Sequence, residues 1–517
     1  MKPIRTLLFA GLALAGAAPA LQAQAMDTAQ ANWHLLDPTA DRVPGIGAER
    51  AYRELLSGMQ PRDTVIVAII DSGIEIDHPD LAGVVWTNRR EVAGNGRDDD
   101  NNGYVDDVHG WDFLGGRDGR DISYDTYEIT RLYAACRGGA AEAGGSACSD
   151  IRRAFEARRS ELSEQGAFVQ QLMGMIEALR RAMPGQEITE ASLRALQSTD
   201  PQLTVARSQI SRLLAAGFSI ADVEGQGQAM KDQLEYSLNP DFDPRPVIGD
   251  NYANTAERGY GNAEVEGPDA DHGTHVAGIV AAMRNGVGVS GVAGNVRIMV
   301  LRAVPDGDER DKDVANAIRY AVDNGARVVN MSFGKSHSPQ KGLVDEAVRY
   351  AESKGVLLVH AAGNDGADLN KEGNFPNQEY VGGGRATNWI EVGASGWQGP
   401  DQLAADFSNY GRGKVDVFAP GVSILSTVTD QKYERIDGTS MAAPVVTGVA
   451  ATLLSYFPEL TAVQVREIIL ASATRYTDQQ VQVPGGRERV PFGQLSDTGA
   501  VVNLYNAVQM AQQRVRR

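Results

Sequence analysis

The chain has 517 residues, of which 42% are hydrophobic and 22% charged, and this ordinary globular balance excludes wholesale disorder. Its formal net charge of −18 argues against nucleic acid as a partner, because the phosphate backbone requires a basic protein face. The two cysteines, Cys136 and Cys148, are too few for a disulfide scaffold or a cysteine-based zinc finger.

Residues 1–25 have the pattern of an export signal. Lys2 and Arg5 form a short basic region, residues 7–20 are apolar, and a small-x-small sequence ends at Ala25. The apolar region is shorter than the ~20 residues that a membrane span needs. We therefore predict cleavage after Ala25, export to the periplasm or out of the cell, and no membrane span. A buried N-terminal helix is the alternative.

Short β-branched apolar runs alternate with helical patterns over much of the chain. Continuous runs of this kind are typical of strands that are buried on both faces of a parallel sheet. The predicted strands are residues 64–70, 296–301, 328–330 and 356–360, and the predicted helices are residues 275–283, 313–324 and 343–354. This alternation predicts a doubly wound α/β domain with a mainly parallel sheet and helices on both faces.

Residues 121–250 interrupt this alternation. The segment is rich in Ala, Arg, Gln and Leu, and Phe168, Leu172, Ile176 and Leu179 recur in it at helical spacing. We predict an α-helical insertion whose apolar stripe packs on itself or on the α/β domain. A stripe that binds a partner is the alternative.

The chain is therefore divided into five segments. After the signal of residues 1–25 come an N-terminal segment (26–62), the first part of the α/β domain (63–120), the insertion (121–250) and the second part of the α/β domain (251–517). Within the insertion, Cys136 and Cys148 can pair in an oxidising compartment, and two free thiols are the alternative.

Four polar residues stand at the ends of the predicted elements. Asp71 follows the first strand, His272 opens a helix in HGTHVAG, Asn364 follows a strand in AAGN, and Ser440 opens a helix in GTSMAAP. A carboxylate at a strand end can orient an imidazole, a helix N-terminus favours a developing anion, and an amide can donate to an oxyanion. Each motif alone is weak, but the order Asp, His, Ser with an Asn before the Ser is highly specific.

With these motifs the chain resembles the subtilisin-like serine peptidases. The resemblance covers about residues 60–115 and 255–510 and includes AIIDSGIEIDHPDL, DHGTHVAG, VVNMSFG, AAGN and DGTSMAAP. It implies an exported serine endopeptidase in which Ser440 is the nucleophile, His272 the general base, Asp71 its carboxylate partner and Asn364 an oxyanion donor. We expect a monomer that acts on protein or peptide substrates.

The resemblance also implies a substrate groove with two walls. One wall is an edge segment that pairs with the substrate backbone, which gives broad sequence tolerance. Small residues in the other wall leave room for an apolar or aromatic side chain before the cleaved bond. The residues expected to bind substrate are Ser332, Phe333, Gly334, Ala361, Ala362 and Gly363.

Two segments are candidates for structural calcium. Residues 98–106, DDDNNGYVD, resemble the first half of an EF-hand loop, although His109 stands where the closing glutamate is expected and Asp107 can replace it. An Asx-rich turn without metal is the alternative. The family resemblance implies a second site at Asp80 and residues 283–289. The residues expected to bind calcium are Asp98, Asp100, Asn102, Tyr104, Asp106, Asp80 and Asn285.

Three other functions are disfavoured. Zinc at His272 and His275 is a poor fit, because zinc peptidases space their histidines four residues apart with a glutamate between. An α/β-hydrolase esterase places its serine in GxSxG and its histidine last in the chain. A non-catalytic binding scaffold, with the insertion as its recognition surface, remains the second hypothesis. The four intact catalytic positions favour the enzyme.

Overall fold

The computed structural model describes residues 29–516, so the predicted export signal lies outside the described residues. The chain forms two compact units. In the described part, the first comprises residues 29–123 and 244–516, and the second is Tyr124–Asp243. The second unit falls inside the predicted insertion of residues 121–250.

The strands were numbered in chain order. They are β1 Val65–Asp71, β2 Gly110–Asp112, β3 Glu142–Ala143, β4 Ser146–Ala147, β5 Val296–Arg302, β6 Val328–Met331, β7 Leu357–Ala361, β8 Trp389–Ser395, β9 Val417–Pro420, β10 Ile424–Val428, β11 Lys432–Ile436, β12 Thr474–Arg475, β13 Gln480–Gln482, β14 Arg489–Pro491 and β15 Ala500–Val501.

The α-helices were numbered in the same way, and short 3₁₀ and π turns lie between them. The helices are α1 Ala48–Ala51, α2 Glu128–Arg137, α3 Cys148–Ala182, α4 Glu190–Ala195, α5 Pro201–Ala215, α6 Ile220–Asp232, α7 Asp271–Ala281, α8 Asp311–Asp323, α9 Lys341–Ser353, α10 Thr439–Tyr456, α11 Ala462–Ser472 and α12 Leu504–Val515.

The first unit is built on a nine-stranded sheet in the order β12-β15-β9-β8-β7-β6-β1-β5-β2. All neighbouring strands pair in parallel except β12 and β15 at one edge. Buried side chains of α7, α10 and α11 pack on one face, and those of α8 and α9 pack on the other. The predicted doubly wound α/β fold is confirmed.

The centre of this sheet holds its topological switch point. From β1 the chain first builds β2 and β5 on one side and then continues to β6 on the other. In such sheets, crevices for ligands open at the carboxyl ends of the strands around the switch. Asp71 is the last residue of β1 and therefore lies at that point.

The second unit is helical, apart from the short hairpin of β3 and β4. Leu172, Ile176 and Leu179 of α3 are buried in a cluster with side chains of α4, α5 and α6, and Phe168 packs against it. The apolar stripe that the sequence predicted is therefore packed within its own unit. Cys136 and Cys148 form a disulfide bond that joins α2 to the start of α3.

Helix α10 has the length and hydropathy of a membrane span, alone among the helices of residues 29–516. However, 94% of that stretch is buried inside the protein. An apolar helix that is covered on all sides is typical of the core of a large α/β domain.

Candidate active site

The carboxylate of Asp71 and the ring of His272 meet at the carboxyl end of β1. His272 Nδ1 lies 2.6 Å from Asp71 Oδ1, although the two residues are 201 positions apart in the sequence. Asp71 is buried, and its Oδ1 also accepts a hydrogen bond of 2.8 Å from the backbone N–H of Ser72. Its Oδ2 is buried without a hydrogen-bond partner among the described residues. The carboxylate is thus fixed in a direction that orients the imidazole.

A close backbone approach makes this contact possible. His272 is the second residue of α7, and Gly273 follows it. A Cβ atom at Gly273 would lie 2.1 Å from the carbonyl oxygen of Gly73 and 3.2 Å from Cβ of Asp71. Only glycine lets the first turn of α7 come this near to the loop after β1, and the helix start then presents His272 to Asp71.

Ser440 is the second residue of α10, where backbone N–H groups are not yet used by the helix. Its side chain is half-buried, and its hydroxyl donates to the carbonyl oxygen of Ser332 at 3.1 Å. In return, Ser332 Oγ donates to the carbonyl oxygen of Ser440 at 2.9 Å. These two bonds hold the start of α10 against the segment that leaves β6.

Asn364 lies in the loop after β7 and is exposed. Its Oδ1 accepts hydrogen bonds from both the backbone N–H and the hydroxyl of Thr439, each 2.9 Å long. The acceptor end of the amide is therefore occupied, and Nδ2 has no hydrogen-bond partner among the described residues. Thr439, which orients this amide from within the GTSMAAP motif, was not among the residues that the sequence indicated.

Asn374 contacts both of the segments that were predicted to form the walls of the groove. A Cβ atom at Gly334 in one wall would lie only 2.4 Å from Asn374 Oδ1. Asn374 Nδ2 donates to the carbonyl oxygen of Ala362 in the other wall at 3.0 Å. The neighbouring Phe375 exchanges two backbone hydrogen bonds of 2.9 Å with Lys335, just after Gly334. Asn374 and Phe375 thus connect the two segments to each other.

His275 lies one helical turn after His272, but its ring has different partners. It is fully buried, and its Nε2 lies 3.0 Å from each of two carbonyl oxygens, those of Ile424 in β10 and Glu434 in β11. Burial lowers the pKa of this imidazole to about 3, which keeps it neutral with the proton on Nε2. The two histidines of the motif therefore have separate partners, one in β1 and the other in a hairpin.

Comparison with known proteins identifies the family of the chain. The profile of the subtilase family matches residues 62–487. The chain belongs to the subtilase family. The resemblance to subtilisin-like serine peptidases that the sequence motifs predicted is therefore confirmed.

Individual relatives match only part of this subtilase. It is 36% identical to a thermophilic serine proteinase of Bacillus sp. (strain AK1) over 55% of this chain and 62% of that protein. It is 38% identical to subtilisin BL of Lederbergia lenta over 39% of this chain and 70% of that protein. The crystal structure of a cold adapted subtilisin-like serine proteinase aligns with a TM-score of 0.36 and 30% identity, over 47% of this chain and 76% of that chain.

The predicted calcium loop of this subtilase brings only some of its side chains together. Oxygen atoms of Asp98 and Asp100 lie within 4.8 Å of each other and of a third carboxylate, that of Glu91. Asp106 is turned away, and its two oxygens accept hydrogen bonds from the backbone N–H groups of Asn95 and Gly96.

The other polar residues of the loop have partners of their own. Asn102 donates to Asp107 Oδ2 at 2.8 Å and accepts from the backbone N–H of Tyr104 at 2.8 Å. Asp107 is fully buried and also accepts from Asn88 and Tyr320, so its carboxylate anchors the loop to the domain.

Glu91 is the residue of this cluster that sequence reasoning missed. Its Oε1 accepts hydrogen bonds from the backbone N–H groups of Asp99 and Asp100, at 2.9 and 3.1 Å. Its Oε2 is buried and has no partner within residues 29–516. An orphaned carboxylate oxygen beside two further carboxylates fits a hard cation such as Ca²⁺. The EF-hand pattern could not have found it, because Glu91 precedes the loop.

The second predicted calcium site centres on Asp80, which is buried. Its Oδ2 accepts from the backbone N–H of Val289 at 2.9 Å and from the hydroxyl of Tyr433 at 3.1 Å. The loop around Asn285 therefore does reach Asp80. The side-chain oxygen of Asn285 itself accepts from the backbone N–H of Val287 at 2.9 Å.

Proposed function

We propose that this subtilase is an exported serine endopeptidase in which Ser440, His272 and Asp71 form the catalytic triad. The observation that carries the proposal is the contact of 2.6 Å between His272 Nδ1 and Asp71 Oδ1. A buried carboxylate on Nδ1 fixes the tautomer in which Nε2 is free to accept a proton. Ser440, at the start of α10, is the hydroxyl that the family motif assigns to this base.

In this mechanism the hydroxyl of Ser440 leaves the carbonyl of Ser332 and turns to His272. Its oxygen attacks the carbonyl carbon of the peptide bond while Nε2 of His272 takes the proton. The imidazolium, stabilised by Asp71, then delivers that proton to the leaving amine. Water repeats the sequence on the acyl-enzyme, releases the acid product and restores Ser440.

The oxyanion of the tetrahedral intermediate is held by two donors. One is Nδ2 of Asn364, which the two hydrogen bonds from Thr439 leave as the available end of the amide. The other is the backbone N–H of Ser440 at the N-terminus of α10, where the helix dipole favours negative charge. Donors that are fixed before the reaction need no reorganisation when the charge develops.

Extended substrates bind between the two walls. Gly334 is exposed and follows the end of β6, so the segment from Ser332 to Gly334 offers main-chain groups for pairing. The opposite wall, from Ala361 to Gly363, carries no large side chain. We expect broad sequence tolerance with a preference for apolar residues before the cleaved bond.

The Cys136–Cys148 disulfide supports export. Disulfide bonds form and persist in the periplasm and outside the cell, whereas cytosolic thiols are kept reduced. The proposal therefore places the protein in one of these oxidising compartments.

A phosphonyl fluoride inhibitor tests the proposed activity directly. We expect the purified protein to hydrolyse casein, and the inhibitor to abolish hydrolysis with one covalent adduct per chain, located on Ser440 by peptide mass mapping. Only a serine whose proton is taken by a neighbouring base reacts in this way. A protein that neither cleaves casein nor takes up the label would instead support the non-catalytic scaffold.

We further propose that the cluster of Glu91, Asp98 and Asp100 binds structural calcium. Three carboxylates meet there, and one buried oxygen has no partner in the described part of the chain. Calcium prefers carboxylate and carbonyl oxygens and tolerates irregular geometry. When bound, the ion would neutralise the mutual repulsion of the three carboxylates and tie Glu91 to the loop that follows it.

Calcium is expected to raise the melting temperature, and a chelator to lower it. A ligand that binds only the folded state stabilises it by about 2.7 kcal/mol at a concentration of 100 Kd. Replacing both Asp98 and Asp100 with Asn should remove most of the calcium-dependent shift, measured by differential scanning calorimetry. Asp106→Asn is the matched control and should keep the shift, because Asp106 lies in the same loop but outside the cluster of three carboxylates. Identical melting curves with calcium and with chelator would refute the proposal.

A further inference from the structure

A buried histidine lies behind one wall of the proposed substrate groove. His360 is fully buried in β7, opposite Met331 of β6 and Glu391 of β8. Its Nε2 is 2.8 Å from the carbonyl oxygen of Phe333, and its Nδ1 is 2.9 Å from Oε1 of Glu391. The ring therefore bridges β8 to the middle residue of the Ser332–Gly334 wall.

The two contacts fix the number of protons on this pair. A carbonyl oxygen only accepts, so Nε2 of His360 must carry a proton to bond Phe333. At 2.9 Å a second proton must lie between Nδ1 and Glu391, because an imidazole lone pair and a carboxylate would repel each other. Trp389 Nε1 donates to the other oxygen of Glu391 at 2.7 Å, which favours the carboxylate form. The pair is thus an imidazolium and a carboxylate.

The charged groups packed around this pair do not compete for it. Asp416 accepts from the backbone N–H of Glu391 at 2.8 Å and lies 2.6 Å from Arg466, with Arg385 at 3.7 Å. Further charged pairs of the surrounding elements are Asp311 with Lys335 and Asp345 with Lys341. Arg349 of α9 lies over the ring of Tyr380, 3.5 Å from its centroid.

The carbonyl group of Phe333 lies beyond the end of β6 and needs a hydrogen-bond donor from another part of the chain. The pairing of β6 with β7 ends at Met331 and His360, so the carbonyl group of Phe333 lies beyond the ladder. Phe333 is buried, and a buried carbonyl without a donor is costly. Ser332, directly before it, exchanges hydrogen bonds with Ser440. A shift of Phe333 would therefore disturb both the wall and its contact with the nucleophile's helix.

We propose that His360 is a positioning residue whose imidazolium, held by Glu391, fixes the carbonyl of Phe333 and with it the wall that pairs with an extended substrate. This inference rests on the proposed function, because the wall has a task only if peptide substrates bind along it. Without the contact from Nε2 of His360 the carbonyl of Phe333 loses its donor, and the wall loosens.

The test compares a substrate that uses the wall with one that does not. A tetrapeptide p-nitroanilide pairs along the Ser332–Gly334 segment, whereas p-nitrophenyl acetate is too short to reach it. His360→Ala is expected to lower the ratio of peptide to ester kcat/KM by about tenfold, mainly through KM for the peptide, because the wall is no longer fixed. An equal loss on both substrates, or an unchanged ratio, would overturn the proposal.

Glu391→Ala and Glu391→Gln are companion variants that test the proposal if His360→Ala does not fold. Glu391→Ala leaves the ring of His360 without its anchor, so we expect the peptide-to-ester ratio to fall in that variant. The Gln amide can donate to Nδ1 of a neutral His360 and still accept from Trp389, so Glu391→Gln should keep a ratio close to that of the unmodified protein. An equal ratio in the two variants would count against the pair.

A measurement that needs no activity separates this proposal from the proposed function. In protein labelled with ¹⁵N-histidine, both ring nitrogens of His360 should be protonated at pH 7, and the assignment follows from signals that the His360→Ala spectrum lacks. A single protonated nitrogen would overturn the inference even in an active enzyme. Conversely, a protein inactive on both substrates would refute the proposed function, whatever the state of His360.

Discussion

Ser440→Ala is expected to lower kcat for peptide hydrolysis by about 10⁴-fold or more while the protein remains folded. The substitution removes the attacking oxygen and leaves the backbone N–H groups at the start of α10 in place. Among the described residues, the hydroxyl loses just its hydrogen bond of 3.1 Å to the carbonyl of Ser332, so the melting temperature should change little.

Ser455→Ala is a matched control for this variant. Ser455 lies near the other end of α10 and is buried, and its hydroxyl accepts a long hydrogen bond of 3.4 Å from Asn295. This variant should hydrolyse peptides and react with the phosphonyl fluoride as the unmodified protein does. If Ser440→Ala kept activity within tenfold of the unmodified protein, another residue would have to be the nucleophile.

Asn364→Ala is expected to lower kcat by about 10²–10³-fold with little change in KM. The oxyanion exists only on the way to the transition state, so a donor to it affects turnover rather than substrate affinity. The two hydrogen bonds from Thr439 hold Oδ1 of Asn364 and leave Nδ2 as the donor. Steady-state kinetics with a peptide p-nitroanilide give kcat and KM separately.

Asn364→Asp separates loss of the donor from loss of the anchor. An aspartate can still accept from the N–H and hydroxyl of Thr439, but it places an acceptor where Nδ2 was. We expect it to be at least as defective in kcat as Asn364→Ala. A defect confined to KM in either variant, or full activity of Asn364→Asp, would show that Asn364 does not donate to the oxyanion.

The histidines near the site also differ in whether they hold the backbone in place or can take part in the chemistry. His272, His275 and His360 all stand near the site in space or sequence, but each imidazole has a different partner. His272 faces a carboxylate with one nitrogen, and its other nitrogen has no hydrogen-bond partner among the described residues. His275 and His360 use Nε2 to hold backbone carbonyls in place. Partners, and not proximity, decide which of these rings can act as a base.

Four of the nine strands of the central sheet could be predicted from local pattern. The predicted strands at residues 64–70, 296–301, 328–330 and 356–360 correspond to β1, β5, β6 and β7, because continuous β-branched runs are typical of strands covered on both faces. In contrast, β8 was not predicted. Glu391, Gly393 and Ser395 interrupt the apolar run of β8. The glutamate is tolerated there because His360 and Trp389 bind its carboxylate.

In the predicted calcium loop, residue spacing did not identify which carboxylates lie close together. The EF-hand spacing places Asp106 among the ligands, but its carboxylate caps the backbone of residues 95 and 96. Both Asn101 and Asp106 have a φ of 57°, and such left-handed residues redirect the side chains that follow. Glu91 enters the cluster from before the loop, and no spacing within the loop could indicate this.

The sequence by itself determined the fold class, the family and the four residues of the proposed chemistry, because strand ends, helix starts and glycine-rich turns are encoded by short local patterns. Only the tertiary structure decided which atoms face each other: Asp71 with His272, Thr439 with Asn364, Glu391 with His360. The physical reason is that each of these contacts joins elements far apart in the chain. Its geometry depends on strand order, register and helix packing, none of which a local pattern contains.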